Sequence, residues 1–107
     1  MADYKIEIAD NFYDDMDTII ERKEEYGTYQ SNIDKFKKEV EGVISKLEIT
    51  PKSGANLSSR VVYETKEKFF LVDNYRHIMI YEIVGNKEVH LYRILPTKSN
   101  WQRTLEN

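Results

Sequence analysis

The chain has 107 residues, 40% of them apolar and 12% aromatic, and a net charge of −3. This is enough for one domain with a single core and too apolar for a disordered segment. No run of about 18 apolar residues marks a membrane span, and the opening MADYKIEIADN lacks the basic-then-apolar pattern of a signal peptide. Cysteine is absent, which excludes disulfides and thiolate metal sites, so the expectation is a cytoplasmic protein.

In chain order, Tyr4–Ile8 alternates apolar and polar residues and predicts a short first strand. Asp10 or Asn11 is placed to cap a helix from about Phe12 to Tyr26, with Asp14, Asp15 and Asp17 near its positive end. Gly27 should end that helix in the left-handed conformation. A second helix follows, capped by Thr28 or Ser31. Its apolar stripe Ile33, Phe36, Val40, Val43, Ile44 and Leu47 is the strongest periodic signal in the chain. The short link makes the two helices an antiparallel hairpin, and Pro51 stops the second.

Thr50–Ser59 reads as loop, and Arg60–Thr65 as the start of an extended segment. Three strands then follow: Phe69–Asp73, Tyr75–Val84 and Glu88–Leu95, rich in branched and aromatic residues. Gly85-Asn86 predicts a tight hairpin with positive φ at both residues; Asp73-Asn74 is a weaker turn signal. The fold class is α+β: a first strand, then a helical hairpin packed on a mostly antiparallel sheet of four or five strands, all in one domain over residues 1–107. The first strand pairs parallel if it lies beside a strand of like direction.

Charge is unevenly spread. Residues 1–50 carry 7 Lys/Arg against 13 Asp/Glu, and residues 51–107 carry 9 against 6. Arg76, His77, Glu82, His90 and Arg93 interrupt the strands, so one sheet face should be wet and basic, a candidate working surface for an anionic partner. Arg93 either pairs with a carboxylate such as Glu82 or faces a bound phosphate. Tyr75, Tyr81, Tyr92 and Trp101 are available for stacking or for packing. Two histidines on different strands give no metal-ligand spacing, and isolated glycines give no phosphate-cradling loop, so no metal or cofactor is expected.

The opening YKIEIADNFYDDM, the helical hairpin, the segment NYRHIMIYEI and the tail VHLYRILPTKSNW together resemble the RelE/ParE superfamily of bacterial type II toxins. The resemblance covers nearly the whole chain. In the tail, Pro96 stands where many relatives have His, Thr97 at the small residue, Lys98 at the basic residue, Asn100 at the Asp and Trp101 at the aromatic. The resemblance implies a toxin partnered by a cognate antitoxin, inhibiting translation by ribosome-dependent, metal-independent cleavage of messenger RNA. The alternatives it implies are a non-enzymatic inhibitor of DNA gyrase and a degenerate toxin that only binds its antitoxin.

Cleavage through a 2′-hydroxyl needs a base, a cation for the phosphorane and an acid for the leaving oxygen. By resemblance Arg76 and Lys98 match best as catalytic cations, and His90, which titrates near neutrality, is the candidate acid–base group. Arg60, Lys66, Lys68, Arg93 and Trp101 are the candidate residues for holding RNA or another target.

Overall fold

The computed structural model describes residues 3–99 and 101–106. Strand β1 (Lys5–Ile8) leads into helices α1 (Asp10–Glu25) and α2 (Gln30–Ile49). Two single 3-10 turns, Pro51–Ser53 and Leu57–Ser59, flank the two-residue strand β2 (Ala55–Asn56). Strands β3 (Lys68–Val72), β4 (His77–Val84) and β5 (Glu88–Pro96) follow, then a short helix α3 (Trp101–Glu106). The sheet order is β1-β5-β4-β3-β2, with β1 parallel to β5 and every other pair antiparallel. The expected architecture is present, with the first strand parallel as its direction requires.

Local departures have local causes. Helix α1 is capped by Ala9 without a side-chain bond, not by Asp10 or Asn11. The Ala9 N–H is still donating to Leu91 O at 2.9 Å, so the chain leaves the sheet and turns into helix within one residue. At the other end, Thr28 N–H donates to Lys23 O and Gly27 N–H to Glu24 O, with Gly27 at φ 73; this is a Schellman closure. Thr28 is thereby spent on α1, and α2 begins after Tyr29 with no side-chain cap. In the β4–β5 hairpin Gly85 alone takes positive φ, at 65°, within a three-residue loop.

The segment from Arg60 to Thr65 is not a strand. Ser58 Oγ donates to Thr65 O and accepts the Thr65 N–H, pinching the segment into a loop. That loop tucks Val61 against the core and leaves Val62 96% exposed.

Both sheet faces are used. The helix side packs Phe12, Ile19, Phe36, Val40 and Leu47 on Met79, Tyr81, Leu91 and Ile94. The opposite side buries Leu57, Phe69, Ile78, Ile80, Leu95 and Trp101, covered by the 57–61 segment and α3. Tyr81 ties the chain after α2 to the sheet: its hydroxyl donates to Pro51 O at 2.6 Å and accepts the Gly54 N–H at 3.1 Å. Burial lifts the Tyr81 pKa to about 12, and the Gly54 N–H opposes that rise.

A methyl group on Gly54 would collide with the Tyr81 hydroxyl and press on Phe69 O at 2.9 Å. Gly54→Ala is expected to destabilise by about 2 kcal/mol in urea unfolding, as overpacking does. The Gly54→Ala/Tyr81→Phe double variant should lose less than the sum of the two single losses, because the colliding oxygen is gone.

Candidate functional site

The β3–β4 connection builds the site. Asp73, Asn74 and Tyr75 all have left-handed backbone, at φ 56, 57 and 67. Asp and Asn tolerate this region; a bulky Tyr adopts it only when its surroundings impose it. The imposition is visible. Arg76 N–H closes the turn onto Asp73 O, and the Asp73 N–H donates to Glu39 on α2 at 2.9 Å. Beyond β5, Thr97 Oγ1 donates to Tyr75 O and the Thr97 N–H to Arg76 O, each at 2.8 Å.

Two adjoining cavities of about 730 and 470 Å³ open around this turn, between the helical hairpin, the turn and the tail. Arg22, Lys23, Lys35, Arg76 and Lys98 line them, against only Glu39 and Asp73. A protein of net charge −3 thus carries a cleft of net charge +3. Tyr75 stands at its rim, 73% exposed, and Tyr26 lines its other wall. Cations in a concave surface raise the local concentration of an anionic partner, and exposed aromatics add contact area.

In the wall of this cleft, Lys23 Nζ lies 2.8 Å from Asp73 Oδ2 and His77 Nδ1 lies 3.0 Å from the same oxygen. Burial pushes the His77 pKa below its usual value. Asp73 pulls it back, while Lys23 and Arg76 push it further down.

The residues expected to form one basic surface are dispersed. Arg76 and Lys98 do share the cleft. His90 does not join them. It lies near the start of β5, paired across to Glu7 and Glu82, roughly 20 Å from the strand's far end at about 3.3 Å per residue. That part of the sheet face is acidic, carrying Glu7, Glu82 and Glu88 with His90, Tyr92 and Lys5. Tyr92 donates to Glu82 at 2.9 Å, and burial with this carboxylate lifts its pKa to about 12.

Arg93 pairs with Ile80, two residues from Glu82, so it belongs to the same face. A bulge between the Ile80–Arg93 and Tyr81–Leu91 pairs shifts the alternation, and β1 ends opposite Leu91. Asp15 on α1 fills the vacated edge: it accepts from Arg93 Nε at 2.7 Å, Arg93 Nη2 at 2.9 Å and the Ile94 N–H at 3.1 Å. The Asp15 hydrogen bonds hold the guanidinium pKa above its usual value. Arg93 is therefore paired structurally, and with Asp15 rather than Glu82.

Lys68 donates to Gly54 O and Asn56 Oδ1, Arg60 lies over the Phe69 ring at 5.3 Å, and Lys66 is exposed. None of the three lines the cleft. Trp101 is 5% exposed in the second core, so it closes packing and offers no stacking face. Asn100 lies outside the described residues. Sequence reading missed Arg22, Lys23 and Lys35, which look like solvated helix charges until the left-handed turn is placed beside them. Among the described residues no group of three His, Asp or Glu is placed to hold a metal, and no helix is long and apolar enough to cross a membrane.

No protein-family model and no curated protein matches the sequence. A chain from the solved structure of a chromosomal ParDE TA system from P. aeruginosa matches over 89% of this chain and 97% of its own, with a TM-score of 0.61 and 15% identity. The shared property is the fold.

Two outcomes follow for stability. Asp15→Ala strands a half-buried guanidinium and an edge N–H, and should cost about 2 kcal/mol, discounted for partial exposure. For His77 the native pKa lies below the unfolded value. The unfolded chain therefore binds the extra proton first, and stability falls as pH drops through about 6.5 toward the native pKa. Urea midpoints taken between about pH 7.5 and 5.5 should fall in the wild type, and fall less in His77→Gln.

Proposed function

We propose that this chain is the toxin of a type II toxin–antitoxin pair and that it acts by occupying its target through the cationic cleft. The observation that carries the toxin reading is the likeness of fold to a chain of a ParDE system, extending over 89% of this chain. The mode of action rests on the dispersal of the acid–base groups. Arg76 and Lys98 supply charge at the cleft, while His90 and Tyr92 sit on the acidic part of the sheet, and by the resemblance Pro96 stands where many relatives have His. Charge without a free acid and base holds an anionic partner but does not cut it. The partner in the cell is a cognate antitoxin in the cytoplasm, and gyrase is the target class that occupancy favours.

Ribosome-dependent cleavage of messenger RNA is the second reading. One observation favours it: His77 borders the same cavity as Arg76 and Lys98. Purified antitoxin-free protein separates the two. In a supercoiling reaction and in a reconstituted translation reaction mapped by primer extension, occupancy predicts gyrase inhibition with intact messenger. Cuts that require translating ribosomes would replace that reading with the nuclease.

A further inference from the structure

Between the two cavities, one carboxylate serves two neighbours. Asp73 Oδ2 is 2.8 Å from Lys23 Nζ and 3.0 Å from His77 Nδ1, and all three side chains are at most 15% exposed. The groups facing His77 come from every element around it. Helix α1 brings Lys23, with Arg22 further along the wall. Helix α2 brings Glu39, bound to the Asp73 N–H, and Phe36, whose ring is 5.6 Å from the imidazole. The turn brings Asp73 and Arg76, and the tail beyond β5 brings Lys98. Lys23 Nζ also rests over the Phe36 ring at 4.9 Å.

With His77 neutral, Lys23 and Asp73 cancel. With His77 protonated, an imidazolium and an ammonium compete for one carboxylate, and the wall carries an unmatched positive charge beside Arg76. Such a charge is costly in a partly desolvated wall, and an anion in the adjoining cleft relieves it.

We propose that the cleft between α1 and the 73–75 turn seats a doubly charged oxyanion of the phosphate or sulfate class, and that its occupation takes up a proton at His77. Asp73 is the gate. When the imidazolium claims the Asp73 carboxylate, the Lys23 ammonium is released toward the anion, joining Arg76 and Lys98. The left-handed backbone at 73–75 holds Asp73 where both cations reach it, and backbone strain of this kind persists where it serves a site. Linkage is reciprocal: acidification tightens the anion, and the anion raises the His77 pKa. The inference deepens the occupancy reading by naming the chemistry of the cleft, and its test needs no cellular target, so failure here and absence of toxicity are separable results.

The probe is inorganic sulfate, which keeps both charges across the range used. It is titrated into the full chain at fixed ionic strength while NMR follows the His77 ring and the 73–76 amides. Sulfate affinity should rise by about threefold or more per pH unit from about pH 7.5 to 5.5, and saturating sulfate should move the His77 titration upward. Asp73→Asn keeps a side chain that tolerates positive φ. It should bind sulfate more tightly at the higher pH and lose most of the pH dependence; Lys98→Gln should weaken binding throughout. No response at residues 73–76, an affinity equal at both ends of the pH range, or weaker binding by Asp73→Asn would overturn the proposal. Should either variant fail to fold, the wild-type titration decides alone.

Discussion

The structure depends on the pinning of a three-residue left-handed turn. Asp73 is held through its backbone by Glu39 of α2 and through its carboxylate by Lys23 of α1, and it sits one turn before His77 at the start of β4. One residue therefore fastens both helices to the sheet. Thr97 fastens the same turn to the end of β5. The cleft is the space left between these fastened parts, so the same contacts set where its cations leave the backbone, and Asp73 also holds the Lys23 side chain.

Charge is sorted by the sheet rather than by the halves of the chain. On the face away from the helices, one end is closed over by Leu57, Val61, Trp101 and Leu105. The other end is open and acidic, with Glu82, Glu88 and Glu7 around His90. The cationic cleft lies at the opposite end of β5. An anionic partner approaching the molecule is drawn to the cleft and repelled from the acidic end, which orients it before contact.

Much of the architecture was legible because periodicity reports burial directly. The α2 stripe from Ile33 to Leu47, the three later strands and the Gly27 closure follow from spacing and backbone chemistry. Arg60–Thr65 misled because Val61, Val62 and Tyr63 have strand propensity, whereas the local Ser58–Thr65 bonds take that backbone out of the ladder. The site was half legible. Arg76 and Lys98 came from the resemblance, and Asp73-Asn74 was visible as a turn. That Tyr75 shares its conformation is a tertiary imposition with no local signal. The side of the sheet to which His90 and Arg93 belong depends on register and on one bulge, and a shift of one residue exchanges the two faces. Arg93 found Asp15, distant in sequence, because β1 ends opposite Leu91 and leaves the edge of β5 to α1.

In the proposed occupancy mode Arg76 and Lys98 act together at this cleft, and both are exposed, so they contribute little to folding. The most direct measurement is bacterial growth after matched induction of the wild-type chain and of an Arg76→Ala/Lys98→Ala double variant, with circular dichroism confirming that both are folded. Occupancy through the cleft predicts arrest by the wild type and normal growth with the folded double variant. Arrest by both at equal expression would contradict it.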